Sequence, residues 1–334
     1  MISNQDFFLV APEILLTLVA ISFQMKSLFF PKIQKFLAYS LVLFLVFLAY
    51  LINYYNLNGT GFNEVYNSND FTNDAKIFML ILTSLVIMIN IGYGFKEQID
   101  RKFANSSYIT LMIMSLVGMF LTVSARDFIL LYMGIELQTL ALFIMAAFDT
   151  NNSKSSEAGL KYFILSALAS GLMLFGMSYI YGFSGSLNYK VLNVLYSGQD
   201  NMLLTTPPAL IVGIVMLIVG LCFKISAAPF HMWAPDVYEG SPIVSTIFFA
   251  SVPKFANLIA LINILYFSFA TQSIVWKDII TFVAILSLIT GSFGAIMQSS
   301  VKRLMAYSSI VNIGYICLAI ASNNSAAIQA SMLY

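Results

Sequence analysis

Long apolar runs separated by short polar stretches repeat along the whole chain. A run of about 20 apolar residues is what a helix needs to cross a bilayer. The pattern predicts helices near 7–25, 36–55, 76–95, 107–124, 127–148, 159–182, 207–227, 243–268, 274–297 and 302–321, with an eleventh beginning near Ala326. The longest polar stretches are Asn56–Asp74, rich in Asn and Gly, and Ser184–Thr206. The second carries Tyr189, Val191, Leu192, Val194, Leu195 and Tyr196, which fits a short interfacial helix. No stretch reads as a soluble domain. The last apolar run stops at Tyr334 without a polar tail, and a helix cut partway leaves unsatisfied backbone in lipid. A truncated product or a fragment is therefore expected.

Composition agrees with the pattern. Of 334 residues, 60% are hydrophobic and 9% charged, and mean hydropathy is +0.87, values foreign to a soluble domain of this size. A net charge of +1 without a basic patch gives no reason to expect nucleic acid. Cys222 and Cys317 lie within apolar runs without metal spacing, which predicts buried free thiols. The first run lacks a basic leader and a small-residue cleavage site, so it reads as a retained helix.

Loop charge predicts orientation. The first loop carries Lys26, Lys32 and Lys35; the third has Lys96, Arg101 and Lys102; the fifth has Lys154, with Lys161 at its edge; the ninth has Lys302 and Arg303. The alternate loops offer only Lys76, Arg126, Lys190 and Lys277. The odd loops are expected in the cytoplasm and the N-terminus outside. Loop seven, with no Lys or Arg of its own, is an exception.

Against that background three charges stand inside apolar spans: Glu136, Lys224 and Lys254. A charge at the bilayer centre costs roughly 2.5–3.5 kcal/mol on insertion scales, and its default reading is an ion or proton path. Lys224 opens the richest stretch, which runs through His231, Asp236 and Glu239 to Pro242. Pro229 removes a helix donor and predicts a break near Ser226–Ala228, where Ser226 can bond the freed carbonyls. Lys224 and His231, the only histidine, would flank that break, which could hold water. Lys254 follows Pro242 by about 12 residues, roughly 18 Å of helix, and sits directly after Pro253, a second expected break. Glu136 lies about ten residues into its helix, with Gly134 and Thr139 on a packed face. Its expected partner is Lys224, with Lys161 also available.

Plainer readings stand beside these. Lys224 is close enough to a helix end to snorkel, and Lys161 also reads as a cytoplasmic loop charge. His231 also reads as a capping or packing residue. Asp236 and Glu239 read as solvated loop acids, Arg126 and Asp127 as a helix start, and the many aromatics as lipid contacts. Redox chemistry is not expected of the chain itself. It has no cysteine cluster for iron–sulfur and no glycine-rich nucleotide loop after a strand, and one histidine cannot ligate a haem twice.

Three runs carry a family resemblance. Lys224–Pro242 (KISAAPFHMWAPDVYEGSP) resembles the signature of the subunit N family of bacterial NADH–quinone oxidoreductase, the counterpart of mitochondrial chain 2 of respiratory complex I. Ser156–Phe163 (SEAGLKYF) resembles the family's SEA-x-x-KYF, and Lys302–Ile310 (KRLMAYSSI) its KRLLAYSSI. Sister antiporter-like subunits usually read PLHTWLPDA in the broken region, which favours subunit N.

The resemblance implies an all-α polytopic transmembrane bundle of the antiporter-like type, with inverted five-helix repeats and a broken seventh helix. Residues 1–106 would form helices one to three, 107–268 the first repeat, and 269–334 the incomplete start of a truncated second. It implies that Glu136, Lys161, Lys224 and Lys254 form the charged axis that transfers protons, with His231 beside them. The implied activity is a proton-translocating NADH:quinone oxidoreductase. In it the other membrane and peripheral subunits carry NADH, FMN, iron–sulfur clusters and quinone, and this chain binds no cofactor. The implied location is the bacterial inner membrane, or the mitochondrial inner membrane as the alternative. Two departures stand out. The family's second half-channel lysine would lie beyond Tyr334, and Asn312 stands where related subunits often have histidine. A cation/proton antiporter subunit and a non-pumping structural subunit are the competing expectations.

Overall fold

The structure, a computed structural model, describes residues 4–97, 104–197 and 207–334. Arg101 and Lys102 of the orientation pattern, and the 198–206 part of the second polar stretch, lie outside the described residues. Fourteen helices are described: α1 Asn4–Leu9, α2 Ala11–Phe29, α3 Gln34–Tyr55, α4 Asp70–Glu97, α5 Ala104–Ser124, α6 Phe128–Ala146, α7 Ser153–Ser184, α8 Tyr189–Ser197, α9 Pro208–Lys224, α10 Trp233–Gly240, α11 Ile243–Asn263, α12 Ser273–Ile296, α13 Val301–Ala321 and α14 Ser325–Leu333. Nine helical spans among the described residues are long and apolar enough to cross a membrane. Large apolar side chains such as Phe36, Phe163 and Phe293 point outward from them, as lipid-facing helices require. The short α8 buries Tyr189, Leu192 and Tyr196 and exposes Val191, Val194 and Leu195, in keeping with its expected amphipathic character.

Helix starts follow local capping. Asp127 accepts from the Ile129 N–H at 2.7 Å and opens α6; Asn152 accepts from the Lys154 N–H at 3.0 Å and opens α7. At α4 the sequence reading needs correction. This helix begins at Asp70, six residues before the expected start, because Asn69 and Thr72 cap reciprocally: Thr72 N–H to Asn69 Oδ1 and Asn69 N–H to Thr72 Oγ1, both 2.8 Å. Lys76 is therefore a buried helix residue, not a loop charge. The polar stretch before it is not all loop either. Gly59–Gly61 (β1) and Tyr66–Ser68 (β2) pair antiparallel, around a turn in which Phe62, Asn63 and Glu64 all have positive φ.

A second correction concerns Pro253. α11 runs through it without interruption. One proline deletes one helix hydrogen bond, and a helix packed on protein tolerates that loss. The expected break after Lys224 is present: α9 ends there and α10 starts only at Trp233.

The chain forms two compact units, Met1–Phe148 with Pro242–Ala256, and Asp149–Ser241 with Asn257–Tyr334. In the first, α5 packs along α6 and also against α2 and α4, while α3 packs on α4. A Cβ on Gly134 would fall 2.8 Å from the Gly118 carbonyl and 2.6 Å from Thr122 Oγ1, so the absence of a side chain lets α5 and α6 touch backbone to backbone. In the second, α7 packs along α9 and α10, and α12 along α13. Cys222 and Cys317 are buried free thiols.

Candidate functional site

In the second unit the break after α9 is built by a helix stop that precedes the proline. Ala227 N–H bonds the Cys222 carbonyl at 2.9 Å and Ser226 N–H bonds that of Phe223 at 3.0 Å, with Ser226 at φ 58°. This is the paired-bond αL stop that usually employs glycine. Three further bonds hold it open. Trp233 Nε1 donates to the Phe223 carbonyl at 2.9 Å, and the Ala228 N–H donates to Ser287 Oγ on α12 at 2.8 Å. Ser226 Oγ donates to the neighbouring Ile225 carbonyl at 2.6 Å, so the serine does bond a freed carbonyl. Pro229 thus lies inside a break that Ser226 begins.

Lys224, the last residue of α9, is only 5% exposed. Its Nζ donates to Ser166 Oγ at 2.7 Å and Ser170 Oγ at 3.0 Å, both on α7. Two hydroxyls can accept from an ammonium group without adding a formal charge. These serines escaped the sequence reading, although their spacing of four within an apolar helix marks one face. His231 sits in the break, half-buried.

Lys161 has a different setting. It is 40% exposed and donates to Asp236 at 2.7 Å and Glu157 at 2.8 Å. Arg303 bridges Asp236 at 3.4 Å and Glu239 at 3.1 Å, and Lys154 reaches Glu239 at 3.3 Å. Lys302 donates to the Ser241 carbonyl at 2.6 Å and so caps the end of α10. Lys154, Glu157, Lys161, Asp236, Glu239 and Arg303 line an open depression of about 290 Å³. Burial pushes the Glu239 carboxyl up, but hydrogen bonds from Lys154 and Arg303 outweigh it and the net direction is down. Asp236 and Glu239, which sequence suggested were simple solvated acids, are members of this network. The three motif runs thus converge in one unit. Tyr162 of the Ser156–Phe163 run stacks on Trp233 of the Lys224–Pro242 run, with ring centroids 4.5 Å apart and planes 6° apart. A Cβ on Gly240 would collide with the Lys154 carbonyl.

Glu136 and Lys254 belong to the first unit. Glu136 is half-buried in α6, one turn from the buried Thr139, whose Oγ1 bonds the Ile135 carbonyl at 2.9 Å. Lys254 is 4% exposed within α11.

The first unit also holds a buried cluster that the sequence reading missed. Lys76 of α4, Glu13 of α2 and Tyr66 of β2 are 1%, 3% and 2% exposed. Lys76 Nζ lies 2.8 Å from Glu13 Oε1 and donates to the Tyr66 hydroxyl at 2.6 Å, and that hydroxyl donates to Glu13 Oε1 at 2.7 Å. Lys76 also stands over the rings of Tyr66 and Phe120. Burial and the Glu13 carboxylate push the Tyr66 phenol well above its usual value, so it stays protonated.

Residues 125–334 match the family model described as NADH:quinone oxidoreductase/Mrp antiporter, TM. A NADH-quinone oxidoreductase subunit N from Paramagnetospirillum magneticum is 38% identical over all of this chain and 68% of its own length. Among solved structures, a chain of respiratory complex I from Thermus thermophilus with bound aureothin aligns with a TM-score of 0.76 and 26% identity. That match covers 97% of this chain and 66% of the other. A chain of the Mrp complex from Dietzia sp. DQ12-45-1b shares the fold, with a TM-score of 0.75 and 17% identity over 96% and 61% of the two chains. The chain spans about two thirds of the length of these proteins. By the extent of the model and of the subunit N match, the chain belongs to the NADH:quinone oxidoreductase/Mrp antiporter family of membrane subunits, on its subunit N side.

Proposed function

We propose that the chain is a proton-translocating membrane subunit of an NADH–quinone oxidoreductase, with electron transfer from NADH to quinone carried out by partner subunits. The observation that carries this reading is the pair of lysines, Lys224 and Lys254, almost wholly buried in apolar helices. Such residues are costly and mark ion paths. Glu136, Lys224 and Lys254 hold the protons, and His231, in the break that follows Lys224, relays them. Lys161 collects protons at the charged mouth. Apolar surroundings loosen a lysine's proton and a nearby carboxylate tightens it. Moving a carboxylate such as Glu136 toward or away from a lysine therefore drives uptake and release. In this reading residues 107–268 form one antiporter-like repeat and 269–334 begin the next. The chain sits in a bacterial inner membrane with its N-terminus outside.

The test is Lys254→Met and Glu136→Ala in the assembled complex, with pumping measured in inside-out vesicles alongside NADH oxidation. Pumping should fall several-fold while the complex still assembles. Unchanged pumping at full electron transfer rejects the assignment. A cation/proton antiporter without redox partners is the second reading, favoured by a family model that spans both kinds of complex. Purification in mild detergent separates them: flavin and iron–sulfur partners support the first, and small antiporter subunits alone support the second.

A further inference from the structure

A buried ion pair is weak evidence of stabilisation, because apolar residues of similar volume often serve a fold as well or better. Glu13 and Lys76 are nevertheless buried together near the starts of α2 and α4, and they are joined by a hydroxyl that accepts from one and donates to the other. A polar path leads outward from them. A cavity of about 10 Å³ touches Lys76, Ser68 and Asn73 among apolar neighbours that include Pro12 and Ile52. That volume is close to what one water requires, and three polar groups at its wall suit one. Ser68 Oγ donates to Asn73 Oδ1 at 2.9 Å. Asn73 Nδ2 donates to the side-chain oxygens of Asn56 and Asn58 at 3.2 and 3.3 Å. Both of those residues donate to the exposed Asp70, at 2.9 and 2.8 Å. A continuous chain of polar side chains therefore joins the surface carboxylate to the wall of the cavity.

We propose that Glu13, Tyr66 and Lys76 form a further proton-holding site, set in the N-terminal helices and in exchange with solvent through the asparagine collar of the hairpin. The proposal rests on the reading that the assembly moves protons. The step is a two-proton shift. Lys76 passes a proton to the Tyr66 oxygen as Tyr66 passes its own to Glu13 Oε1, leaving a neutral amine, an intact phenol and a carboxylic acid. No net charge moves into or out of the site. The amine then takes a proton from a hydronium that reaches the cavity from solvent and is left as water, so the site holds one more than before, and the reverse sequence returns it.

The test uses the whole complex carrying the double substitution Glu13→Gln with Lys76→Met, which removes both charges and leaves no buried ion without its partner. Infrared difference spectra on acidification are compared with the wild type, without turnover. A buried carboxylic-acid band should be present in the wild type and missing from the double variant, and pumping per electron should fall. Superimposable spectra overturn the proposal, as does wild-type pumping from a fully assembled double variant. Tyr66→Phe keeps both charges and the ring, and provides the check if the double variant fails to assemble. It should shift the band and slow pumping, and no change in either overturns the relay. The infrared result stands whatever Lys254→Met does to pumping, so failure of this site and failure of the proposed function are distinguishable.

Discussion

Two ionic clusters of similar chemistry lie in opposite environments. Glu13, Tyr66 and Lys76 are all at most 3% exposed. Lys161, Asp236, Glu239 and Arg303 line an open depression and are between 28% and 40% exposed. The hydrogen-bond lengths are nearly the same, 2.8 Å for Lys76–Glu13 and 2.7 Å for Lys161–Asp236. Distance therefore says little about what each pair contributes; solvent decides. In the open mouth water screens each charge and replaces a lost partner, so any one contact is weak. In the buried cluster a lost partner leaves a charge that bulk water does not reach.

The largest effect expected from this contrast is that of Glu13→Gln alone. It strands the Lys76 ammonium and should cost about 3–5 kcal/mol, read as loss of assembly or a large drop in melting temperature in detergent. Adding Lys76→Met should recover most of that loss. If the single substitution is silent, the cluster is wetter than its burial indicates and the contrast collapses.

The two clusters also differed in how visible they were beforehand. The mouth was legible because its members fall within recognisable runs, Glu157 and Lys161 in one, Asp236 and Glu239 in another, Lys302 and Arg303 in a third. What those runs could not show is that they meet, since the contacts join residues as far apart as Lys161 and Asp236. The buried cluster was illegible for two physical reasons. Glu13 lies in the first turn of its helix, where charges are unremarkable, and Lys76, the first residue of the expected 76–95 window, read as a loop charge. The reciprocal Asn69–Thr72 cap was the available signal that this helix starts earlier. The helices themselves were mostly legible from apolar run length. Proline was the poorer guide. Pro253 sits within an unbroken helix, while the break after Lys224 begins at Ser226, where the backbone turns left-handed before any proline is reached.

Lys224 gives an intermediate case, a buried cation with two hydroxyls, Ser166 and Ser170, among its partners. Ser170→Ala should cost about 1–3 kcal/mol, the range for removing one partner of a buried polar group. Ser170→Thr, which keeps a hydroxyl, should cost less. Melting temperatures of the two variants measure the difference. Equal losses would mean that the site responds to side-chain volume and not to the hydrogen bond, and would remove Lys224 from its place between the two clusters.

The smallest effect is expected at the mouth, and there pH gives the sign. The Glu239 carboxyl is held below its ordinary range by Lys154 and Arg303, despite the opposing push of burial. A depressed carboxyl contributes stability that is fully present above its unfolded value, about 4.3, and that is lost as pH falls through the folded value. Glu239→Gln should therefore lower stability at neutral pH by no more than about 1 kcal/mol. The gap between variant and wild type should close as the pH is taken well below 4.3. Salt at about 1 M, where screening acts within roughly 3 Å, should narrow the same gap at neutral pH. Melting curves of both proteins at two pH values and two salt concentrations suffice. A loss that is large, insensitive to salt and unchanged by acid would mean that Glu239 behaves like Glu13, and that exposure does not separate the two clusters after all.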